Sequence, residues 1–344
     1  MKSTTFCVLP YYAYESAGQN TRNIYCCRWP KNTNVGAVRQ AIADGEQHPA
    51  CNSCWRLESQ GQTSERIIHN RTMDHLMNRN IEDICESALN DQGYIAMVKL
   101  QTSNLCNGTC ITCGPESSTA WQTLNGRVNY QVLSIPDINW RTVAYLSFVG
   151  GEPLLEKKNW LILEQLIIEK NTDIFLTFVT NGSMELTERQ IQILSEFKNI
   201  NICISVDGIE QSFEYMRYPL KWDLFFANFV KFKQITSNIS ASVMVSNINI
   251  YYLDQIDAFL KNEHIPAMYK QIEYPAVYAP WNLPDDLKQI VIAENSAGLV
   301  DKFLNMESFD PKLWAGFKIK LTAQDELKKI SIGSYLGDWG KYLL

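Results

Sequence analysis

The chain has 344 residues, of which 46% are hydrophobic and 20% charged, a composition typical of globular proteins and unlike that of disordered or fibrous ones. Its 31 basic and 37 acidic side chains give a formal charge of -6, so the sequence lacks the positive field that nonspecific nucleic-acid binding needs, and no nucleic-acid partner is expected. The apolar runs fall short of the ~20 residues of a membrane span, and the first residues lack the apolar core and cleavage site of a signal peptide. We therefore expect a soluble, cytoplasmic protein with no membrane partner.

The first part of the chain is rich in cysteine. The chain has 10 cysteines, and in a reducing compartment such residues favour metal binding over disulfides. A CxxC pair with two remote cysteines is a pattern typical of zinc ribbons, so structural zinc is one interpretation of this region. The cysteines of the first 54 residues are Cys7, Cys26, Cys27, Cys51 and Cys54.

From about residue 95 the chain alternates apolar, β-branched runs of strand length with segments of helical period. Such alternation indicates parallel strands with right-handed crossovers. Six strands in this length are too few for a closed eight-stranded barrel, which takes about 250 residues, so we predict a partial barrel of six units or an open sheet. The predicted strands span 95–101, 143–151, 173–182, 201–208, 239–247 and 269–275.

The predicted fold class is α/β, with a partial (β/α)6 TIM-like barrel as its main part. Residues 1–92 form a small cysteine-rich metal-binding domain before the barrel, and residues 93–282 form the barrel itself. Residues 283–344 have a helical period and form a C-terminal extension that could close one side.

An unusual stretch of residues follows the carboxyl end of each predicted strand. In a parallel arrangement these ends lie on one face, where the active sites of such barrels are built. One pocket can therefore contain all of these stretches. They are residues 106–113, 150–153, 180–182, 207–208, 246–247 and 273–275.

Three cysteines stand four and then three positions apart, where a structural metal site usually needs four ligands. The spacing of Cys106, Cys110 and Cys113 also fits one face of a helix, and a zinc site with a distant fourth ligand is a further alternative. The surrounding Asn, Gly, Thr and Pro residues are poor helix formers and favour a loop.

This cysteine spacing, in a loop after the first strand of a partial barrel, resembles the signature of the radical S-adenosylmethionine (SAM) enzymes. The resemblance implies that the three cysteines hold three irons of a [4Fe-4S] cluster while the fourth iron binds the amino and carboxylate groups of SAM. Such an open iron can bring a substrate into electron-transfer contact with the cluster. The implied reaction is reductive cleavage of SAM to a 5′-deoxyadenosyl radical, which abstracts hydrogen from a substrate. A flavodoxin or ferredoxin-type protein is the implied electron donor.

A second motif supports the resemblance. Gly150, Gly151, Glu152 and Pro153 match the family's GGEP sequence, in which the glycines allow close approach of the backbone and Glu152 can accept hydrogen bonds from the SAM ammonium. Taken alone, this sequence could be an ordinary turn. Thr112 departs from the family, because many members carry an aromatic residue there, and this leaves the adenine contact open.

Weaker matches add further SAM contacts. Thr180 and Asn181 resemble the family's contact after its third strand, and Ser205 and Asp207 resemble its ribose-binding strand end. Arg217 resembles an arginine that pairs with the SAM carboxylate. The alternative interpretation of each is a turn residue or a surface charge.

The N-terminal cysteines resemble an auxiliary-cluster module of the same superfamily, called SPASM in its full form and twitch in its short form. The pattern C…CC…CxxCWxxExxGxxSxR continues through Trp55, Glu58, Gly61, Ser64 and Arg66. Here the module precedes the barrel. It implies a second [4Fe-4S] cluster without an open iron, suited to electron transfer, with zinc as the lesser alternative. The implied ligands are Cys7, Cys26, Cys51 and Cys54, with Cys27 as an alternative to Cys26.

The predicted function is that of a radical SAM oxidoreductase or maturase. Its first predicted substrate is a peptide or protein side chain, modified by oxidation, crosslinking or epimerisation, and no catalytic residue of the chain is identified. The alternatives are a sugar or cyclitol substrate, methyl transfer from SAM, and a metal-binding scaffold without enzyme activity. The aromatic stretch 273–284 either lines the mouth of the substrate pocket or packs in the core or in a lid. Cys85 and Cys203 are predicted to be buried and to pack as small hydrophobic residues.

Overall fold

The computed structural model describes most of the chain, with short gaps. The described residues are 3–16, 26, 29–30, 32–59, 61, 63–88, 95–132, 135, 137–272, 274–295 and 298–344. Cys27 and the predicted boundary between residues 92 and 93 lie outside them.

A sheet of seven parallel strands, ordered along the chain, lies at the centre of the described part. The strands are β1 (Ala13–Ser16), β2 (Met97–Gln101), β3 (Tyr145–Val149), β4 (Phe175–Thr180), β5 (Asn199–Ser205), β6 (Ile239–Val245) and β7 (Ala267–Gln271). This curved, helix-covered sheet confirms the predicted α/β fold class with a partial TIM-like barrel.

Helices precede the sheet, connect its strands and follow it. In chain order they are α1 (Leu9–Tyr12), α2 (Val35–Asp44), α3 (Asn52–Ser59), α4 (Glu65–Met77), α5 (Ile81–Ala88), α6 (Thr119–Leu124), α7 (Lys157–Ile168), α8 (Glu188–Ser195), α9 (Glu210–Met216), α10 (Trp222–Ile235), α11 (Leu253–Asn262), α12 (Asp285–Glu294), α13 (Asp301–Leu304), α14 (Pro311–Lys328) and α15 (Ile332–Tyr342). In the described ranges, no helix is both long and apolar enough to span a bilayer.

The six predicted strands correspond to β2–β7, whereas β1 was not predicted. Its four residues, AYES, are too short and too polar to show a strand period. β1 pairs in parallel with β2, with Ala13 beside Met97. The N-terminal region therefore extends the sheet instead of only preceding it. The predicted domain bounds 1–92, 93–282 and 283–344 stay predictions.

The strands bury one face against the helices because alternate side chains point to opposite faces of a sheet. Phe148 of β3 and Phe178 of β4 stack at 5.0 Å, and Trp160 of α7 stacks on Phe178 at 5.8 Å. On β5, Ile202 is buried on the helix-covered face. This layer forms the main core.

The other face of the sheet encloses a cavity of about 620 Å³, here called the lumen. Asn201 and Cys203 of β5 line it, as do Ile68 and His69 of α4. Glu65 of α4 also forms an ion pair with Lys270 of β7 at 3.6 Å. The N-terminal region thus supplies both a strand at one sheet edge and a helix that contacts the strand at the other edge.

The C-terminal helices are tied to the barrel by buried polar contacts. The hydroxyl of Tyr215 on α9 donates to Asp325 on α14 at 2.8 Å, and Nε1 of Trp339 on α15 donates to the carbonyl of Ile248 at 2.7 Å. Tyr278 and Trp281, from the predicted mouth-lining stretch, are buried, which supports the alternative that this stretch packs in the core.

Replacement of Tyr215 by Phe tests this docking. The hydroxyl donates to a buried carboxyl group, so we expect the free energy of unfolding to fall by about 2 kcal/mol. Urea denaturation followed by circular dichroism measures the change. Tyr342→Phe, at a half-exposed ring of α15, is the control and should leave stability unchanged. Equal stabilities for all three proteins would contradict the contribution assigned to the Tyr215 hydroxyl.

Candidate active site

The predicted cysteine cluster lies in a loop after β2, here called the cysteine loop (residues 102–118). α6 begins only at Thr119, so the alternative of a helical cysteine face is wrong. The backbone amides of Thr109 and Ile111 donate to the carbonyls of Tyr218 and Met216 at 2.6 and 2.9 Å. The loop is therefore fixed to the segment that follows α9.

The sulfur atoms of Cys106 and Cys110 lie on the same side of Gly108. A Cβ atom on Gly108 would be 3.4 Å from Sγ of Cys110 and 3.9 Å from Sγ of Cys106. Burial, with a smaller contribution from neighbouring thiolates, raises the pKa of Cys106 and Cys113 to about 12. These thiols must lose their protons to bind metal. Three soft sulfur donors at the carboxyl edge of the sheet suit an iron–sulfur cluster.

The cysteine loop passes directly over the backbone of the GGEP motif. A Cβ atom on Gly151 would lie 2.2 Å from the carbonyl oxygen of Leu105, which accepts a hydrogen bond from the Glu152 amide at 2.6 Å. At Gly150 the φ angle is +115°, and a Cβ atom would lie 2.6 Å from Cγ of Gln101. Only glycine fits at either position.

Glu152 is buried and holds the ends of β3 and β4 together. Its carboxylate accepts hydrogen bonds from the amides of Leu154 (3.1 Å) and Asn181 (2.7 Å) and from the hydroxyl of Thr180 (2.7 Å). Burial raises its pKa, although these hydrogen bonds favour the charged form. Since a carboxylate offers about four acceptor positions, little capacity remains for a ligand. Pro153 follows as a turn residue whose carbonyl accepts from Asn159 at 2.8 Å.

Asn181 links the end of β4 to the cysteine loop. Its side-chain amide donates to Oδ1 of Asn107 at 2.9 Å, and Asn107 donates to Ser183 at 2.8 Å. The predicted residues Thr180 and Asn181 therefore lie beside both motifs, where their observed contacts are with the protein itself.

Asp207 and Arg217, for which the sequence predicts separate contacts with SAM, form an ion pair at 2.6 Å. Asp207 also accepts from the amide of Met244 at 2.8 Å. Burial alone would lower the pKa of Arg217, but the charges of Asp207 and Cys110 outweigh it and raise the pKa. Nε of Arg217 is buried and has no hydrogen-bond partner among the described residues, so it can receive an anionic group. Ser205 ends β5 at the same edge.

The N-terminal cysteines also come together. Cys7, Cys26, Cys51 and Cys54 line one small cavity, and Cys26 lines the lumen as well. Burial raises the pKa of Cys7 to about 12. Four thiols around one cavity are a donor set of the kind that a closed iron–sulfur cluster uses.

The rest of the N-terminal motif forms a polar network next to this cavity. Arg66 forms two hydrogen bonds with the carboxylate of Glu58, at 3.0 and 2.6 Å, and donates to the carbonyl of Phe6 at 2.8 Å. Ser64 donates to Glu58, and the guanidinium lies 4.8 Å from the ring centre of Trp55. The motif residues therefore fix the backbone beside the cavity.

Across the part of the chain that the structure describes, no three His, Cys, Asp or Glu residues converge tightly enough for a single metal ion.

Two features of the site were not predicted. Gln324 and Lys328 of α14 reach the cysteine loop: Gln324 donates to the carbonyl of Ile111 at 3.3 Å, and Nζ of Lys328 lies 4.6 Å from the ring centre of Trp121. Burial lowers the pKa of Lys328 to about 8.

Cys85 is buried as predicted, but the prediction for Cys203 is wrong, because the alternation of β5 turns its thiol toward the lumen.

Part of the chain is similar to a known protein family. Residues 100–256, a little under half of the chain, match the model of the radical SAM superfamily. No curated protein matches the chain.

Several solved structures resemble the chain at low identity. Native anSMEcpe with bound AdoMet is 17% identical, with a TM-score of 0.42, over 68% of this chain and 62% of that one. SuiB from Streptococcus suis bound to S-adenosylmethionine is 13% identical, with a TM-score of 0.42, over 75% of this chain and 59% of that one. The chain thus spans less than two thirds of the length of these proteins.

Replacement of Gly151 by Ala tests the close passage of the cysteine loop. The new methyl group would collide with the carbonyl of Leu105, so the loop must move, and any iron that its cysteines bind should be lost. Iron per chain after anaerobic reconstitution is the measurement, and we expect the iron lost to be that held by the cysteine loop. Gly333→Ala, where the nearest atoms lie 3.8 Å from the new Cβ, is the control and should bind iron normally. Full iron binding by both variants would show that the loop tolerates the displacement.

Proposed function

We propose that the protein is an enzyme that binds SAM beside a [4Fe-4S] cluster held by Cys106, Cys110 and Cys113, because residues 100–256 match the radical SAM family model. The observation that carries this proposal is the position of three partly buried thiols in one loop, at the carboxyl edge of a parallel sheet and beside the GGEP backbone. When bound, the cluster and SAM supply a 5′-deoxyadenosyl radical that abstracts hydrogen from the substrate.

The residues around the cysteine loop have two proposed tasks. Glu152, with Thr180 and Asn181, holds the strand ends in place, so that the backbone at Gly150 and Gly151 stays directly beside the cysteine loop. Arg217 offers its free Nε–H to the carboxylate of SAM while Asp207 keeps the guanidinium oriented.

Ser205 and Asp207 lie where the proposed ribose contact falls, at the end of β5. Because Asp207 already has partners in Arg217 and the Met244 amide, its contact with a ribose hydroxyl uses its remaining acceptor capacity.

The lumen is the proposed substrate space. Its volume of about 620 Å³ is that of a pocket for a small molecule or a side chain, so a peptide or protein would enter with one residue at a time. The auxiliary-cluster resemblance favours the peptide or protein side chain. The hydroxyl and amide groups of Ser147, Thr177 and Asn201 along its wall favour a sugar or cyclitol as the second candidate.

The N-terminal cysteines are proposed to hold an auxiliary [4Fe-4S] cluster that accepts an electron from the substrate radical. Support comes from the shared position of Cys26, which lines both the N-terminal cavity and the lumen. A cluster there would lie next to the bound substrate, which suits an oxidation or a crosslink. A flavodoxin or ferredoxin-type protein is the proposed donor to the first cluster.

The first experiment measures SAM cleavage. We expect the anaerobically reconstituted protein, reduced with dithionite, to form 5′-deoxyadenosine from SAM, and Cys110→Ala to form none. Cys85→Ala, at a buried cysteine outside both sites, should retain the activity. S-adenosylhomocysteine as a product would favour methyl transfer, and a wild-type protein that leaves SAM intact would favour the scaffold alternative.

The second experiment counts iron and acid-labile sulfide in the variant with Cys106, Cys110 and Cys113 all changed to Ala. We expect about four irons and four sulfides to remain, bound by the N-terminal cysteines. About one zinc and no iron would instead assign a structural metal to that site, and the electron-acceptor role would be lost. Adding Cys51→Ala and Cys54→Ala should remove whichever metal remains.

A further inference from the structure

Lys328 is a buried lysine that the predicted site does not include. It is the last residue of α14, its side chain is 4% exposed, and its Nζ has no hydrogen-bond partner among the described residues. Burying an ammonium group without a partner costs several kcal/mol. A lysine in this position therefore needs an interaction that the protein's own polar atoms do not supply.

The nearby acidic residue attracts the ammonium group through space but forms no hydrogen bond with it. Asp325, one turn earlier on α14, accepts from the Tyr215 hydroxyl at 2.8 Å through one oxygen and from the Ile332 amide at 2.7 Å through the other. No ion pair joins Asp325 to Lys328 within the described chain. The ammonium instead lies over the rings of Trp121 and Tyr218, at 4.6 and 5.9 Å from their centres.

Both of these aromatic residues hold the cysteine loop. Nε1 of Trp121 donates to the carbonyl of Cys110 at 3.0 Å, and the carbonyl of Tyr218 accepts from the Thr109 amide at 2.6 Å. One turn before Lys328, Gln324 donates to the carbonyl of Ile111 at 3.3 Å. The ammonium is thus enclosed by the contacts that fix residues 109–111, where a negative charge on Cys110 or Cys113 would raise its pKa.

We propose that Lys328 is a positioning residue whose ammonium group stabilises the negative charge of the thiolate-bound cluster and so makes that cluster easier to reduce. The inference rests on the proposed function, because it needs a cluster on the cysteine loop. Net charge and hydrogen bonds to sulfur set the potentials of such clusters, and reduction adds one electron and hence one negative charge. A fixed cation beside the cysteine loop lowers the free energy of the reduced form more than that of the oxidised form.

The test is a potentiometric titration of the reconstituted protein, with dithionite as the source of the single electron and EPR as the readout. The signal to follow is the one that changes when SAM is added, since it belongs to the cluster with the open iron. In Lys328→Met we expect the ratio of reduced to oxidised cluster at a given potential to fall about tenfold, a shift of about 59 mV to lower potential. Lys328→Arg, which keeps the charge, should stay near the wild-type midpoint.

Lys320→Met is the matched control. Lys320 lies on the same helix, also over an aromatic ring, 5.3 Å from the centre of Tyr278. It is two turns away from Lys328, so its removal should leave the midpoint unchanged. Unequal effects of the two charge losses would show that position, and not net charge, matters.

Each outcome decides the proposal. Equal midpoints for wild type and Lys328→Met overturn it, whatever the rate of SAM cleavage. If Lys328→Met and Lys328→Gln lack the iron of the cysteine loop, and with it the SAM-sensitive signal, while Lys328→Arg keeps both, the positive charge is needed for the cluster and the proposal stands. If Lys328→Arg also binds none, the side chain serves only packing and the proposal fails. A wild-type protein without a SAM-sensitive signal would refute the proposed function itself.

Discussion

The close contact between the cysteine loop and the backbone of Gly151 is the constraint on which the site depends. The loop crosses the end of β3 with no space for a side chain between them, and the Glu152 amide binds the loop through Leu105. The carboxylate of Glu152 then accepts hydrogen bonds from Thr180 and Asn181 at the end of β4. One contact therefore sets the positions of three strand ends, because parallel strands deliver their loops to the same edge.

Most polar side chains at this edge form hydrogen bonds within the protein, which leaves few of them available to a ligand. Glu152, Asp207 and Asn181 are all buried and all bind neighbouring loops or strands. Such a network keeps the site in its shape without a cofactor and leaves few groups free, notably Nε of Arg217. Preorganisation of this kind limits the rearrangement that binding requires.

The fold and much of the site could be predicted because their signals are local in sequence. The strands β2–β7 show apolar runs, and the cysteine and glycine motifs have fixed spacing. The remaining features depend on contacts between distant residues. β1 is too short for a period, the ion pair of Asp207 with Arg217 spans a helix, and Lys328 is one of several lysines near the end of α14. The position of Cys203 in the lumen could have been predicted from the sequence of β5. Ile200, Ile202 and Ile204 alternate with Cys203 and are buried on the opposite face.

The pairing of β1 with β2 bears on how the protein can be divided. β1 covers the edge of the strand that leads into the cysteine loop, and α4 contacts β7 at the opposite edge. A shortened version that begins near residue 95 would expose the amide and carbonyl groups of β2 to solvent along a row of apolar residues. Exposed strand edges of this kind pair with other chains, so such a barrel would tend to aggregate even if its cysteine loop were intact. The N-terminal region thus protects this strand edge, independently of any metal that it binds.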